Sequence, residues 1–219
     1  MVYRWYVNPT ITQKVIIPIF GVATTAVVIA LSQSTFLKAQ SLSALRVGDR
    51  SSRLSVLGPD SASDDYKGMQ VRKWILPNKN SLSVTVNSAG RIVFMESDWG
   101  GENDDPRCDL PGLRFGKTTL FYLRQRFGSN GFGYKQRPPS VATDDGVVMV
   151  NSYALGNLVI TFYTKIDGND YLRAKASGKS PSPADYAKLD AISIADDDYA
   201  KSEWGERVYD PAYKKIDWK

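Results

Sequence analysis

The chain has 219 residues, 42% hydrophobic and 23% charged, which excludes wholesale disorder and leaves room for one large or two small domains. A net charge of +5 and a pI near 9.2 are too mild to mark a nucleic-acid binder, and acids and bases interleave, as in Asp64-Asp65-Tyr66-Lys67. A lone cysteine, Cys108, and the lack of any histidine exclude an internal disulfide, a Cys/His zinc site and the commonest general base.

Residues 1–14 form a short flank in which Tyr3, Trp5 and Tyr6 suit a membrane-interface belt. The run 15–31 carries no charge. At a rise of about 1.5 Å per residue, continuing it through Leu37 gives a helix long enough to cross a bilayer. Residues 15–37 are therefore predicted to be an uncleaved single-pass transmembrane anchor. The alternative is a cleaved signal peptide, because Ala30-Leu31-Ser32 offers small residues for cleavage before Gln33. Either reading puts the remainder outside the cytoplasm, in the periplasm of a bacterium, with the inner membrane as the expected location of the anchored form.

Two stretches then resemble each other, Leu45-Arg46-Val47-Gly48-Asp49 and Leu113-Arg114-Phe115-Gly116-Lys117. Each is followed by apolar residues at helical spacing, Leu54 and Leu57 in one, Leu120, Leu123 and Phe127 in the other. Ser51 or Ser52 and Thr118 or Thr119 are candidate N-caps, and Gly58 and Gly128 are candidate stops. Strands are predicted at 71–76, 81–86 and 91–95 in the first half, and at 147–153, 158–166 and 189–195 in the second. Domain boundaries follow at 40–99 and 110–195. A Gly-, Ser- and Pro-rich insertion at 167–188 reads as a mobile or functional loop. The tail 196–219 reads as a docked irregular segment or short helix. The fold class expected is α+β: an N-terminal transmembrane helix, then two tandem helix-plus-antiparallel-sheet repeats.

The repeated opening, the glycine-ended helix, the strand ending near Trp74 and the meander hairpin resemble the SmpA/OmlA family, the small lipoprotein of the outer-membrane β-barrel assembly machinery. Two such units in tandem resemble the architecture of the β-lactamase inhibitor protein. The resemblance implies a scaffold that presents a sheet face and loops to a partner protein. The chain departs from both patterns: it has no lipid-anchoring cysteine after the apolar run, and a single cysteine cannot supply the inhibitor's disulfides.

Catalytic signals are weak. Cys108 sits among Asp105, Arg107 and Asp109, and reads as a structural thiol. The acidic pairs Asp64-Asp65, Asp104-Asp105 and Asp144-Asp145, and the run Asp196-Asp197-Asp198, read as turn formers, the last being a weak calcium candidate. No catalytic, metal or cofactor residue is assigned. The Arg/Tyr-rich stretch is the candidate partner-binding surface, with Tyr122, Arg124, Arg126, Tyr134 and Arg137 as its residues. The function expected is a non-enzymatic, membrane-anchored accessory or assembly subunit of a larger membrane protein complex in the bacterial envelope, touching the lipid bilayer and no nucleic acid. An exported hydrolase or ligand-binding enzyme is the alternative, and an inhibitor-like binder is the third reading.

Overall fold

The computed structural model describes residues 41–101, 108–127, 131–177 and 182–211. A two-residue hairpin opens it, β1 (Ser41–Leu42) and β2 (Leu45–Arg46), followed by a 3-10 helix at Ser51–Leu57. A four-strand meander comes next: β3 (Ala62–Tyr66), β4 (Met69–Ile75), β5 (Ser81–Val86) and β6 (Ile92–Asp98). The second half runs α1 (Leu120–Phe127), β7 (Phe132–Tyr134), β8 (Ser140–Thr143), β9 (Gly146–Leu155) and β10 (Leu158–Asp167). It continues through α2 (Gly168–Ser177), α3 (Pro183–Tyr186), β11 (Lys188–Asp196), α4 (Asp197–Trp204) and β12 (Arg207–Tyr209).

All strands from β3 onward join one antiparallel sheet in the order β12-β7-β9-β10-β11-β6-β5-β4-β3, with β8 also paired to β9. The two meanders meet where β6 pairs with β11, Met95 opposite Ile194 and Ser97 opposite Ile192. Alternation along each strand sends one set of side chains to a main core. There Leu82, Val84, Met95, Ile160, Phe162, Ile192 and Ile194 pack under Leu42, Leu45, Leu54, Phe115, Leu123 and Phe127. In α1 the buried residues Leu120, Leu123 and Phe127 recur at helical spacing, and Thr119 Oγ1 accepts from Tyr122 N at 3.2 Å as the N-cap. Phe127 stacks on Phe162 at 5.2 Å and lies 5.3 Å from Tyr153, so α1 is clamped to the sheet by aromatic contact. Gly116 keeps a left-handed φ of +64°, and a Cβ there would fall 2.4 Å from the Trp99 ring. That close approach explains the glycine of the second Leu-Arg-Phe-Gly stretch.

The architecture corrects the expected arrangement of tandem repeats behind a transmembrane helix. Strand outweighs helix, 46% to 23%, and residues assigned to separate units supply neighbouring strands of one sheet. The two Leu-Arg-x-Gly stretches do not start equivalent helices. The first leads a seven-residue 3-10 helix whose N-cap is Arg50, with no side-chain cap bond, whereas the second leads the α-helix α1. With only Leu54 buried, the first segment lacks the apolar stripe that holds a longer helix down. The insertion 167–188 carries α2 and α3, and the tail carries α4 and β12. Among the described residues no helix is long and apolar enough to cross a membrane. The span 15–37, with Tyr3, Trp5 and Tyr6, lies outside the described residues, and the single-pass anchor is not carried forward.

Candidate functional site

The second face of the sheet carries α4 at one end and, beside it, the strap that bears Arg137; Ser152, Thr161, Tyr163 and Ser193 are buried there, and the face opens toward β4–β6. Asp196 caps α4 by accepting from Asp198 N at 3.0 Å and Tyr199 N at 3.2 Å, and Asp197 and Asp198 complement the helix dipole. This anchors α4 on a small core of Phe132, Tyr134, Ala154, Val159 and Ala195, with Tyr199 and Trp204 packed against it. The β3–β4 turn closes over the helix end through Lys67–Glu203 at 3.1 Å.

Beyond α4 the face is polar, and strand register defines it. One row runs Ser83, Glu96, Ser193, Thr161, Ser152; the next runs Ile75, Ser81, Asp98, Ala191, Tyr163, Val150. Hydroxyls link along and between the rows. Ser152 Oγ and Thr161 Oγ1 are 2.9 Å apart, and Tyr163 OH and Ser193 Oγ are 3.1 Å apart. Ser81 Oγ donates to Asp98 Oδ2 at 2.7 Å. Arg137 enters from the strap after β7 and donates to Tyr163 OH. Its guanidinium lies 4.2 Å from the Trp204 ring centroid and 5.0 Å from that of Tyr163. A guanidinium has no acceptor, so the Tyr163 oxygen accepts there and its proton is left for Ser193 or Glu96.

Electrostatics follow from half-burial. Burial, reinforced by Asp98, pushes the Glu96 carboxyl above its usual range, while Tyr163, Arg137 and Lys73 pull the other way. Burial also raises Asp190 on the neighbouring strand, against Lys165. Tyr163 is driven far up, mainly by burial, so it serves as a hydrogen-bonding group and not as a base. Two exposed apolar side chains flank the polar rows, Ile75 at 61% exposure and Val141 at 46%. Val141 is on this face because it pairs with Val148, two residues from Val150.

The residues singled out from sequence are not gathered on one surface. Tyr122 is exposed on α1, beside exposed Phe121. Arg124 is half-buried and donates to Asn151 Oδ1 at 3.4 Å. Arg126 braces the preceding loop through Pro111 O at 3.0 Å. Tyr134 is buried in the small core under α4, its hydroxyl pushed up to about 12 by burial. Only Arg137 joins the polar face. The Asp196–Asp198 run caps α4 and pairs with Lys201 and Arg207, and no group of three or more metal-ligating side chains occurs among the described residues. The Cys108 thiol is half-buried, donates to Leu110 O at 3.5 Å, and is pushed up to about 11, chiefly by burial. Glu96, Tyr163, Ser193 and Trp204 were not picked out from sequence. For the first three the signal is a polar residue at every second position of strands whose other face is apolar; Trp204 ends α4 and carries no such signal.

No family model matches the sequence, and no curated protein matches it. Solved structures with partial likeness include a cysteine-rich secretory protein from Staphylococcus aureus, at 10% identity and a TM-score of 0.45 over 78% of this chain and 51% of that one. An extracellular SCP-domain protein from Bacillus anthracis matches at 8% identity and TM-score 0.42 over the same shares. A DUF4309 family protein from Bacillus subtilis matches at 12% and 0.37, over 78% of this chain and 96% of that one. The chain spans about half the length of the first two proteins. TM-scores of this size carry no argument about fold or function, and none of these neighbours is an SmpA/OmlA protein, so that resemblance stands as an expectation.

Proposed function

We infer that the protein is a non-enzymatic binding module of the bacterial envelope, acting outside the cytoplasm, which docks a partner protein on the second sheet face across its exposed margins. The observation that carries this reading is the composition of that face. Arg137, Tyr163 and Trp204 form a braced centre beside Glu96, with exposed Ile75 and Val141 at its rim. Arginine, tyrosine and tryptophan are the side chains most often responsible for binding energy at interfaces, especially where a rigid fold holds them. A partner surface with an apolar contact for Ile75 and a cation facing Glu96 and Asp98 fits this chemistry. The test is Lys73→Glu with Ile75→Glu in the full chain, two exposed positions of β4 on this face. Co-purification of a partner from mild detergent extracts should be lost while circular dichroism stays unchanged. Full retention of the partner by the folded variant overturns the reading.

One observation favours a second reading, an exported hydrolase. Glu96, held protonated to higher pH than an ordinary carboxyl, sits two residues from Asp98 on the same face, an acid beside a second carboxyl. Turnover of a glycoside or ester that disappears in Glu96→Gln would favour this reading over docking.

A further inference from the structure

The chain entering the 3-10 helix crosses the β5–β6 turn. Gly48 N donates to Ile92 O at 2.7 Å, Ile92 N to Asp49 O at 2.9 Å and Ser51 N to Gly90 O at 2.8 Å, which fixes the register of the two segments. That register sets Arg50 directly opposite Arg91 in an antiparallel bridge. Side chains of a bridged pair leave on the same side, and like charges placed so oppose each other. Arg91 Nη1 donates to Gly48 O at 3.1 Å, and neither arginine makes an ion pair among the described residues. Arg46 and Arg53 lie close in sequence, and the one carboxylate between them, Asp49, accepts from Arg46 N. The two bridged arginines line a shallow cavity of about 360 Å³ together with Ser51, Ser52, Ala89 and Gly90. Gly90, at φ +70°, leaves the space beside Ser51 Oγ open, where a Cβ would come within 3.6 Å of the hydroxyl.

We propose that this cavity binds a phosphate-type oxyanion between the guanidinium groups of Arg50 and Arg91, with the Ser51 and Ser52 hydroxyls as further donors. Charge-assisted, bidentate contacts of this kind suit tetrahedral oxyanions, and an anion between the two guanidiniums replaces their repulsion with attraction. The helix beside the cavity is too short to contribute a dipole, so the two arginines supply the charge. The site is separate from the polar sheet face and independent of the reading given for it.

Inorganic phosphate titrated into the isotope-labelled full chain tests the proposal, read by amide shifts at Ser51, Ser52 and Gly90. The expected result is saturable binding, weakened about tenfold or more by Arg50→Ser or Arg91→Ser and unchanged by Arg114→Ser. Arg91→Lys keeps the charge without the planar fork and should bind at an intermediate level. A second arm measures sedimentation with vesicles of neutral phospholipid, with and without an anionic phospholipid. Arginine-dependent binding to the anionic vesicles identifies a lipid headgroup as the source, and binding of phosphate without the vesicles identifies a soluble one. Shifts that never saturate, or that persist equally in both arginine variants, overturn the proposal.

Discussion

Replacing Tyr163 by Phe isolates the polar seam from the packing around it. The ring stays, so buried apolar area is nearly unchanged, and only the hydroxyl that meets Arg137 and Ser193 is lost. Ser193 is 1% exposed, so its hydroxyl has no access to water as a substitute. Leaving a buried donor or acceptor unmatched costs about 1–3 kcal/mol, and the Arg137 bond is charge-assisted, so a loss of about 2–3 kcal/mol is expected. That lowers the folded-to-unfolded ratio by roughly 30- to 150-fold. For a chain of this size it lowers the melting temperature by about 4–12 °C. Urea unfolding followed by tryptophan fluorescence, with an unchanged m-value, measures the loss. A cost below about 0.5 kcal/mol, the range of ordinary surface substitutions, refutes the argument by placing the hydroxyl network in solvent.

Glu96 makes the same seam sensitive to pH. Its folded-state pKa is raised, so the folded protein holds the proton more tightly than the unfolded chain does. Stability from this group is therefore greatest below the unfolded value and declines as pH rises toward the folded one. Glu96→Gln should then stabilise the protein at pH 7, and the gain should vanish toward pH 4; a variant equally destabilised at both would contradict the burial argument. Leu123→Ala, at a fully buried position of α1, should cost about 2–5 kcal/mol in denaturant unfolding, and an unchanged midpoint would detach α1 from the core. Cys108, pushed from 9.0 to about 11, should react with iodoacetamide at pH 8 about 100-fold more slowly than an unperturbed thiol, through its smaller thiolate fraction; a rate near that of free cysteine would place it in solvent.

The strands legible in the sequence are those with one or both faces buried. The 81–86 prediction coincides with β5, and the readings at 147–153, 158–166 and 189–195 fall inside β9, β10 and β11. β3 was missed because every residue of it, Asp64 and Asp65 included, is exposed, so no alternation marks it. Acidic residues on such an edge discourage pairing with another chain, which makes them look like turn formers. β7 and β12 are three residues each, too short for any periodic signal. The joining of the halves was illegible for a different reason. Pairing of Ile192 and Ile194 with β6 is a long-range choice of neighbour, and the same apolar alternation serves two separate sheets or one continuous sheet. The candidate site was hidden by the same rule. Glu96, Tyr163 and Ser193 come from three strands and meet only through the β6–β11–β10 register. The arginines of α1 stood out in sequence, but the fold uses them to hold Asn151 and Pro111 in place.

The central claim, docking on the second sheet face across its exposed margins, is tested most directly by photo-crosslinking in living cells. A photoreactive amino acid is placed singly at Ile75 and Val141 on that face, and at Phe121 and Leu172, equally exposed apolar positions on α1 and α2. The account predicts one discrete protein adduct, shared by the Ile75 and Val141 variants and absent from the helix variants. Adducts confined to Phe121 and Leu172, or none at Ile75 and Val141, would contradict it.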